Sequence, residues 1–216
     1  MLVPIKSSEL WRIIPAVATG SQFAKCTGNG QKILQRVLIA VIGGVVSLLI
    51  SQNQLSTLWG PLWLIISFVF FLYLLWGPII EAGRLNSQLR KYSTAAIFEG
   101  RIKNLYTREQ VEARREQANT DGILELVENR RTWLCLELED SDGYLAEIRF
   151  PLNKKHHILY RGAIVYCLIL SHNKDFSSID AISDIWLPKL SLWVGAYPYL
   201  LRPAFEELCR RRIKTL

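Results

Sequence analysis

Hydrophobic and polar positions alternate with three different periods along the chain. Residues 37–80 form a run of 44 with no Asp, Glu, Lys, Arg or His. A straight helix rises about 1.5 Å per residue, so such a run would reach roughly 66 Å, twice the ~30 Å hydrocarbon thickness of a bilayer. One crossing cannot use that length, whereas two can. The break falls at Ser51-Gln52-Asn53-Gln54, because a polar cluster is costly at membrane depth and easily hydrated in a loop. The pattern therefore predicts two spans, 33–50 and 59–80, forming a transmembrane helical hairpin. Gly43-Gly44 sits at the centre of the first span and Pro61 and Pro78 near the ends of the second. Small residues allow backbones to approach closely, so Gly43 and Gly44 are candidate contacts with another helix, either the second span or a partner.

Before the hairpin, Leu10, Ile13, Ile14 and Val17 recur at helical spacing. That face fits a short interfacial helix, or an apolar arm packed on a folded domain. Thr19-Gly20 and Thr27-Gly28-Asn29-Gly30 read as turns. After Gly83 the period changes to that of strands. Residues 95–106, 123–127, 132–139 and 144–150 are β-type runs, with Asp140-Ser141-Asp142-Gly143 as a hairpin turn. Residues 162–170 are almost wholly apolar and predict a central strand. In 107–118, Glu109, Glu112 and Glu116 interleave with Arg108, Arg114 and Arg115, which predicts a solvated helix or loop between strands. Arg202-Pro203 opens a C-terminal helix over 204–213, acidic at its start and basic at its end. The expected organisation is an N-terminal arm (1–32), the hairpin (33–80) and a β-rich domain (81–216). The expected fold class is a membrane α-helical hairpin plus a small, mainly antiparallel β domain, OB-like or SH3-like, with a short C-terminal helix.

Charge refines the picture. The 26 Lys and Arg against 19 Asp and Glu give a formal net charge of +7, and all of it lies outside the apolar run. Lys25, Lys32 and Arg36 precede the first span and Arg84, Arg90 and Lys91 follow the second. Basic flanks stay on the cytoplasmic side, so both termini are expected there, or in the stroma of a plastid. Attraction to anionic headgroups accounts for these cations, and no aromatic strand motif or GxxG loop points to nucleic acid. Pro4, Glu9, Arg12 and Pro15 interrupt the first 20 residues, unlike a cleaved signal peptide. Cys26, Cys135, Cys167 and Cys209 form no CxxC and are expected to be reduced, structural thiols.

The signatures GxxxxGK[ST], GxGxxG, HExxH and GxSxG are absent, so no catalytic or cofactor-binding residue is assigned. His156 and His157 follow Lys154-Lys155 without a third ligand at a metal-binding spacing, and an exposed basic turn is expected. His172 reads the same way. The absence of ionisable groups within the spans argues against an ion path through one chain, although an oligomeric transporter or transporter subunit stays open as the alternative function. The densest aromatic segment is 183–200, where Trp186, Trp193, Tyr197, Pro198 and Tyr199 are candidate partner contacts. Trp186 and Trp193 would equally serve to cover one end of the β domain.

Several stretches resemble a family of cyanobacterial and plastid membrane proteins of about this length. They are Leu2-Val3-Pro4, Ala18-Thr19-Gly20, Leu75-Trp76-Gly77-Pro78, Val127-Glu128-Asn129, Ser183-Asp184-Ile185-Trp186-Leu187-Pro188 and Leu192-Trp193-Val194-Gly195-Ala196-Tyr197-Pro198-Tyr199-Leu200. Members often carry the label "phosphate transporter permease", which two spans and no coupling helix do not support. The resemblance implies a thylakoid membrane protein that assists photosynthetic complexes. The expected function is thus a non-catalytic auxiliary or assembly factor, with the lipid bilayer and subunits of a membrane complex, such as a photosystem, as partners. No cofactor is expected.

Overall fold

The computed structural model describes residues 1–54, 59–118 and 124–213, with backbone alone at 113, 115–118 and 124–127. In chain order the elements are β1 (Leu2–Ile5), α1 (Ser7–Ile13), α2 (Gly20–Thr27), α3 (Gly30–Asn53), α4 (Trp59–Phe71), α5 (Tyr73–Arg90), β2 (Thr94–Ala118), β3 (Leu124–Glu139), β4 (Leu145–Pro151), β5 (Ile164–Ser171), β6 (Ala181–Ile182), β7 (Ile185–Leu187), β8 (Leu192–Val194) and α6 (Arg202–Arg212). They divide into two compact units, Ile14–Arg90 and Met1–Ile13 with Lys91–Leu216.

In the helical unit, the predicted turn residues are helix boundaries. Thr19 caps α2 in a capping box, its Oγ1 accepting from the Gln22 amide at 3.4 Å while Gln22 Oε1 accepts from the Thr19 amide at 3.1 Å. Gly28, at φ +78°, ends α2, and Asn29 caps α3 by accepting from the Lys32 amide at 3.4 Å. Helices α3 and α4 run antiparallel, because Ser51 Oγ donates to the Gly60 carbonyl (2.8 Å) and Ser67 Oγ to the Gly44 carbonyl (2.7 Å). Of the two neighbours left open for Gly43-Gly44, α4 is the one that fills the space. The Phe70 ring occupies the room a Gly43 side chain would need, and Phe71 lies 2.8 Å from where a Gly44 Cβ would stand.

By length and composition α3 could cross a membrane alone, and α4 with α5 could do so together as one broken span. The second segment is not the straight helix expected over 59–80. It bends by 72° between Phe71 and Tyr73, and α4 has 13 residues, about 20 Å of rise against ~30 Å of hydrocarbon. The two charges that bound the apolar run, Arg36 and Glu81, form an ion pair. Arg36 is buried and also donates to the carbonyls of Cys26 (2.8 Å) and Thr27 (3.2 Å), and Lys32 reaches Glu81 at 3.2 Å. Beside them the buried amides of Gln22 and Asn86 exchange two 3.0 Å hydrogen bonds.

The β unit is an antiparallel sheet in the order β4-β3-β2-β5-β7-β8, with β1 along β2 and β6 along β5. It is open: β4 and β8 end the order and do not pair, so the expected closed barrel is corrected. A second correction concerns 107–118, which continues β2 instead of forming a helix or loop. Its opposite charges find partners across the ladder, Arg114 with Glu128 at 3.2 Å and Arg131 with Glu112 at 2.9 Å. Charge interleaving at that spacing satisfies cross-strand pairs as well as helical ones. Residues 123 and 119–122 lie outside the described residues.

One face of the sheet holds Phe98, Ile102, Leu134, Leu136, Leu138, Phe150, Val165, Cys167 and Ile169 in a single core. Gly100 is needed in β2, since a Cβ there would stand 2.7 Å from the Glu139 carbonyl oxygen. Tyr166, Leu168 and Leu170, on the other face of β5, are buried as well, which gives β5 the apolar run of an interior strand. Helix α1 packs on α6, as the arm-on-domain alternative expects. Leu10 and Ile13 are buried, Arg212 pairs with Glu9 at 2.7 Å, and the Leu201 amide donates to the Ile13 carbonyl at 2.7 Å.

The glycine contact yields a direct test. Gly44→Leu forces a side chain into Phe71 and is expected to cost about 1–3 kcal/mol. It should lower the Tm of the helical signal in detergent while the near-ultraviolet signal of the β unit persists. An unchanged Tm would mean that α3 and α4 do not pack through this face.

Candidate protein-interaction site

The aromatic segment builds one end of the β unit. Each of β7 and β8 is three residues long, and one residue pair, Tyr166 with Trp186, joins β7 to β5. So little backbone ladder leaves cohesion to the side chains. Tyr166 and Trp186 lie 5.7 Å apart, Trp186 and Trp193 stack at 6.2 Å and 20°, and Trp193 meets Phe205 of α6 edge-on at 5.8 Å. Ring pairs of this kind contribute about 0.5–1.5 kcal/mol each beyond their area. Burial pushes the Tyr166 hydroxyl well above the ordinary tyrosine range, with the Glu99 carboxylate adding to the effect.

Trp186 and Tyr197 are buried, and Trp193, Pro198 and Tyr199 are half-buried. Tyr197 packs its ring edge-to-face on Tyr199 at 4.7 Å. Both tryptophans thus pack within the fold, and the accessible part of the candidate set is Trp193, Pro198 and Tyr199. Gly43 and Gly44 belong to the helical unit, so the candidates fall into two separate groups.

Behind the rings lies a carboxyl group that the sequence did not single out. Asp184 is 3 % exposed. Its Oδ1 accepts from the Leu200 amide at 3.0 Å, while Oδ2 is buried without a hydrogen-bond partner. Gly195 permits this packing, because a Cβ there would stand 2.9 Å from Asp184 Cβ. Burial pushes the carboxyl up to about 7, against the opposing pull of the Leu200 and Tyr199 amides and the Arg202 charge. The adjacent Ser183 Oγ accepts from the Leu168 amide at 2.9 Å and donates to the Asp184 carbonyl at 2.8 Å.

Outside the rings, Trp186, Pro188, Ser191, Trp193, Arg202, Glu206 and Arg210 line a cleft of about 490 Å³. Arg202, Glu206 and Arg210 fall on one face of α6 at spacings of four. The Arg202 guanidinium covers the Trp193 ring at 5.4 Å from its centroid, and Trp193 Nε1 donates to Glu206 at 3.2 Å. Glu206 and Arg210 approach to 3.9 Å. A second cavity, about 770 Å³, lies beside Arg101, Lys103 and Glu139, but Lys103 and Glu139 pair with each other at 3.0 Å.

The histidines occupy local roles. His156 lies on a 3-10 turn, accepts from the Asn153 amide at 3.1 Å and packs on Phe150 at 4.9 Å, and burial lowers its pKa. His157 is exposed, and His172 sits 2.8 Å from Asp180. Among the described residues no three His, Cys, Asp or Glu converge as a metal ion needs. The four cysteines are buried thiols outside any disulfide, and burial raises the Cys167 and Cys209 thiols, to about 12 for Cys209.

The chain belongs to DUF8619, a family of unknown function, whose model matches residues 3–214. A segment of 58 residues, 27% of the chain, is 34% identical to the PKS-NRPS hybrid synthetase acdB of Aspergillus candidus. The match spans 2% of that protein's length. No solved structure matches the chain.

A carboxyl raised above its unfolded value contributes stability that is complete below about pH 4 and gone once pH has risen past about 7. Asp184→Asn keeps an oxygen for the Leu200 amide and cannot ionise. It is expected to be more stable than the wild type at pH 8, by at most about 4 kcal/mol, and to lose more than half of that advantage by pH 5. Urea midpoints across pH 5–8 measure this, and parallel pH profiles for the two proteins would exclude a protonated Asp184.

Proposed function

We propose that this chain is a non-catalytic auxiliary or assembly factor for a membrane protein complex, anchored by α3–α5 and binding its partner through the β unit. The observation that carries the reading is the apolar surface of the helical unit. Leu38, Ile42, Leu49, Ile65 and Phe68 are 50%, 60%, 56%, 59% and 63% exposed. Contiguous apolar exposure on this scale needs lipid or another protein to cover it. The basic residues on both flanks of the hairpin orient the termini to the cytoplasmic or stromal side. The site is a set of stacked rings and paired side-chain charges, a composition that suits contact with a partner. A thylakoid location and a photosynthetic complex are the setting that the family resemblance suggests. The permease reading has less support, because an ion or solute path through Val37–Ile80 would meet no ionisable group.

Two measurements test this. The protein should remain in the membrane pellet through alkaline carbonate washing. A tagged chain purified in mild detergent should bring membrane-complex subunits with it, identified by mass spectrometry. Release by carbonate would remove the anchor. Recovery of the chain alone, with and without cross-linking, would remove the auxiliary role.

A further inference from the structure

We propose that the cleft between β8 and α6 binds an acidic residue in a peptide segment of the partner, taking its carboxylate between Arg202 and Arg210. This deepens the partner-binding reading above and rests on it. Three features of the cleft carry the inference.

The first is charge. Arg202, Arg210 and Glu206 sum to +1, and among the described residues no carboxylate comes within ion-pair distance of Arg202, the Asp184 carboxyl acting on it only from further off. A singly charged carboxylate balances the site. A phosphate dianion would set its second negative charge beside Glu206, which the Trp193 N–H holds in place. The second is geometry. A guanidinium lying over an indole has its planar face occupied and its N–H edge free, and that edge matches the two oxygens of a carboxylate. Trp193 also stacks on Trp186 at 6.2 Å, so its ring is already engaged by protein groups and the guanidinium edges are what the cleft offers a ligand. The third is size and lining. A cleft of about 490 Å³ far exceeds one carboxylate, and Trp186 and Pro188 supply an apolar wall for neighbouring side chains. Ser191, at the mouth, holds φ at +46°, a conformation that costs a non-glycine residue energy and that clusters at binding sites. Its hydroxyl adds a donor for the peptide.

The test uses the full chain in detergent and two hexapeptide libraries, identical except for Glu or Gln fixed at the fourth position. The Glu library should be retained at least tenfold better, and Arg202→Gln should abolish that preference while leaving the circular dichroism unchanged. Arg202→Lys should restore only part of it, because an ammonium cannot present a fork. Inorganic phosphate and phosphatidylglycerol vesicles serve as competitors, and displacement of the Glu library by either at equal charge would overturn the assignment in favour of a phosphate site. Equal retention of the two libraries, or of wild type and Arg202→Gln, would overturn it outright. If the cleft fails while the tagged chain still recovers complex subunits, the auxiliary role stands without this contact. If the Glu preference holds and no subunits are recovered, the cleft stands and the auxiliary role falls.

Discussion

The β unit depends on the backbone of β2. Along one edge β5 pairs with Thr94–Arg101; along the other β1 pairs with Ala95–Phe98, and from Arg101 onward β3 takes over the edge that β1 leaves. A strand that serves three partners cannot slip by one residue without turning its core face to solvent. The register shift between Ile102 and Asn104 falls just after the three-partner section ends, where one ladder can change without disturbing another. Gly100 lies at the handover, where the Glu139 carbonyl comes closer than a side chain would allow. N-terminal to Trp133, the described residues of β3 pair only with β2, and cross-strand ion pairs add to that backbone ladder, each worth about 0.2–1 kcal/mol.

The helical unit follows a different constraint. The surfaces of α3 and α4 are apolar nearly all round, so apolarity alone does not choose which faces meet, and polar contacts and small residues decide it. Serine hydroxyls donate to carbonyls of the neighbouring helix at Gly44 and Gly60, and the glycines admit Phe70 and Phe71. At the open end the choice is made by Arg36, which satisfies Glu81 and two α2 carbonyls together. The charge-free run therefore closes on itself, with its bounding residues as partners.

Much of this could be read in the sequence, and the limits have physical causes. The apolar run and the turn residues that bound α2 and α3 were visible because each depends on local chemistry, whereas Ser51-Gln52-Asn53, expected in a loop, continue α3, where the Ser51 hydroxyl is satisfied by the Gly60 carbonyl. The bend after Phe71 was not, since no proline or glycine marks it and Pro78 lies seven residues downstream. Interleaved Arg and Glu over 107–118 satisfied a helix and a strand equally, and only the partner β3 decides between them. The Leu2–Ile5 strand was hidden because a single short run cannot announce an edge about 90 residues away. At the candidate site the aromatic residues stood out by type, whereas Asp184, Glu206 and the cleft-lining role of Arg202 did not, because burial and proximity to Trp193 are tertiary facts.

The aromatic end of the sheet is where the fold is least determined by its backbone. Strands of three residues offer few ladder bonds, so β7 and β8 are placed by stacked rings and by Ser183 and Asp184, whose side chains take up amides that the ladder leaves over. Side-chain contacts are more easily rearranged than a ladder, and a buried carboxyl with one unsatisfied oxygen keeps this region from its stability optimum. Stability given up in this way recurs at functional sites, where the deficit is compensated elsewhere in the fold. Here the compensation is nearby: β5 is buried on both faces, and α6 is fixed to α1 by the Arg212–Glu9 pair and the Leu201 amide. A loosely laddered edge beside a fixed helix can adjust Trp193 relative to Arg202 without disturbing the core, which is the mechanical property that the proposed docking surface would require.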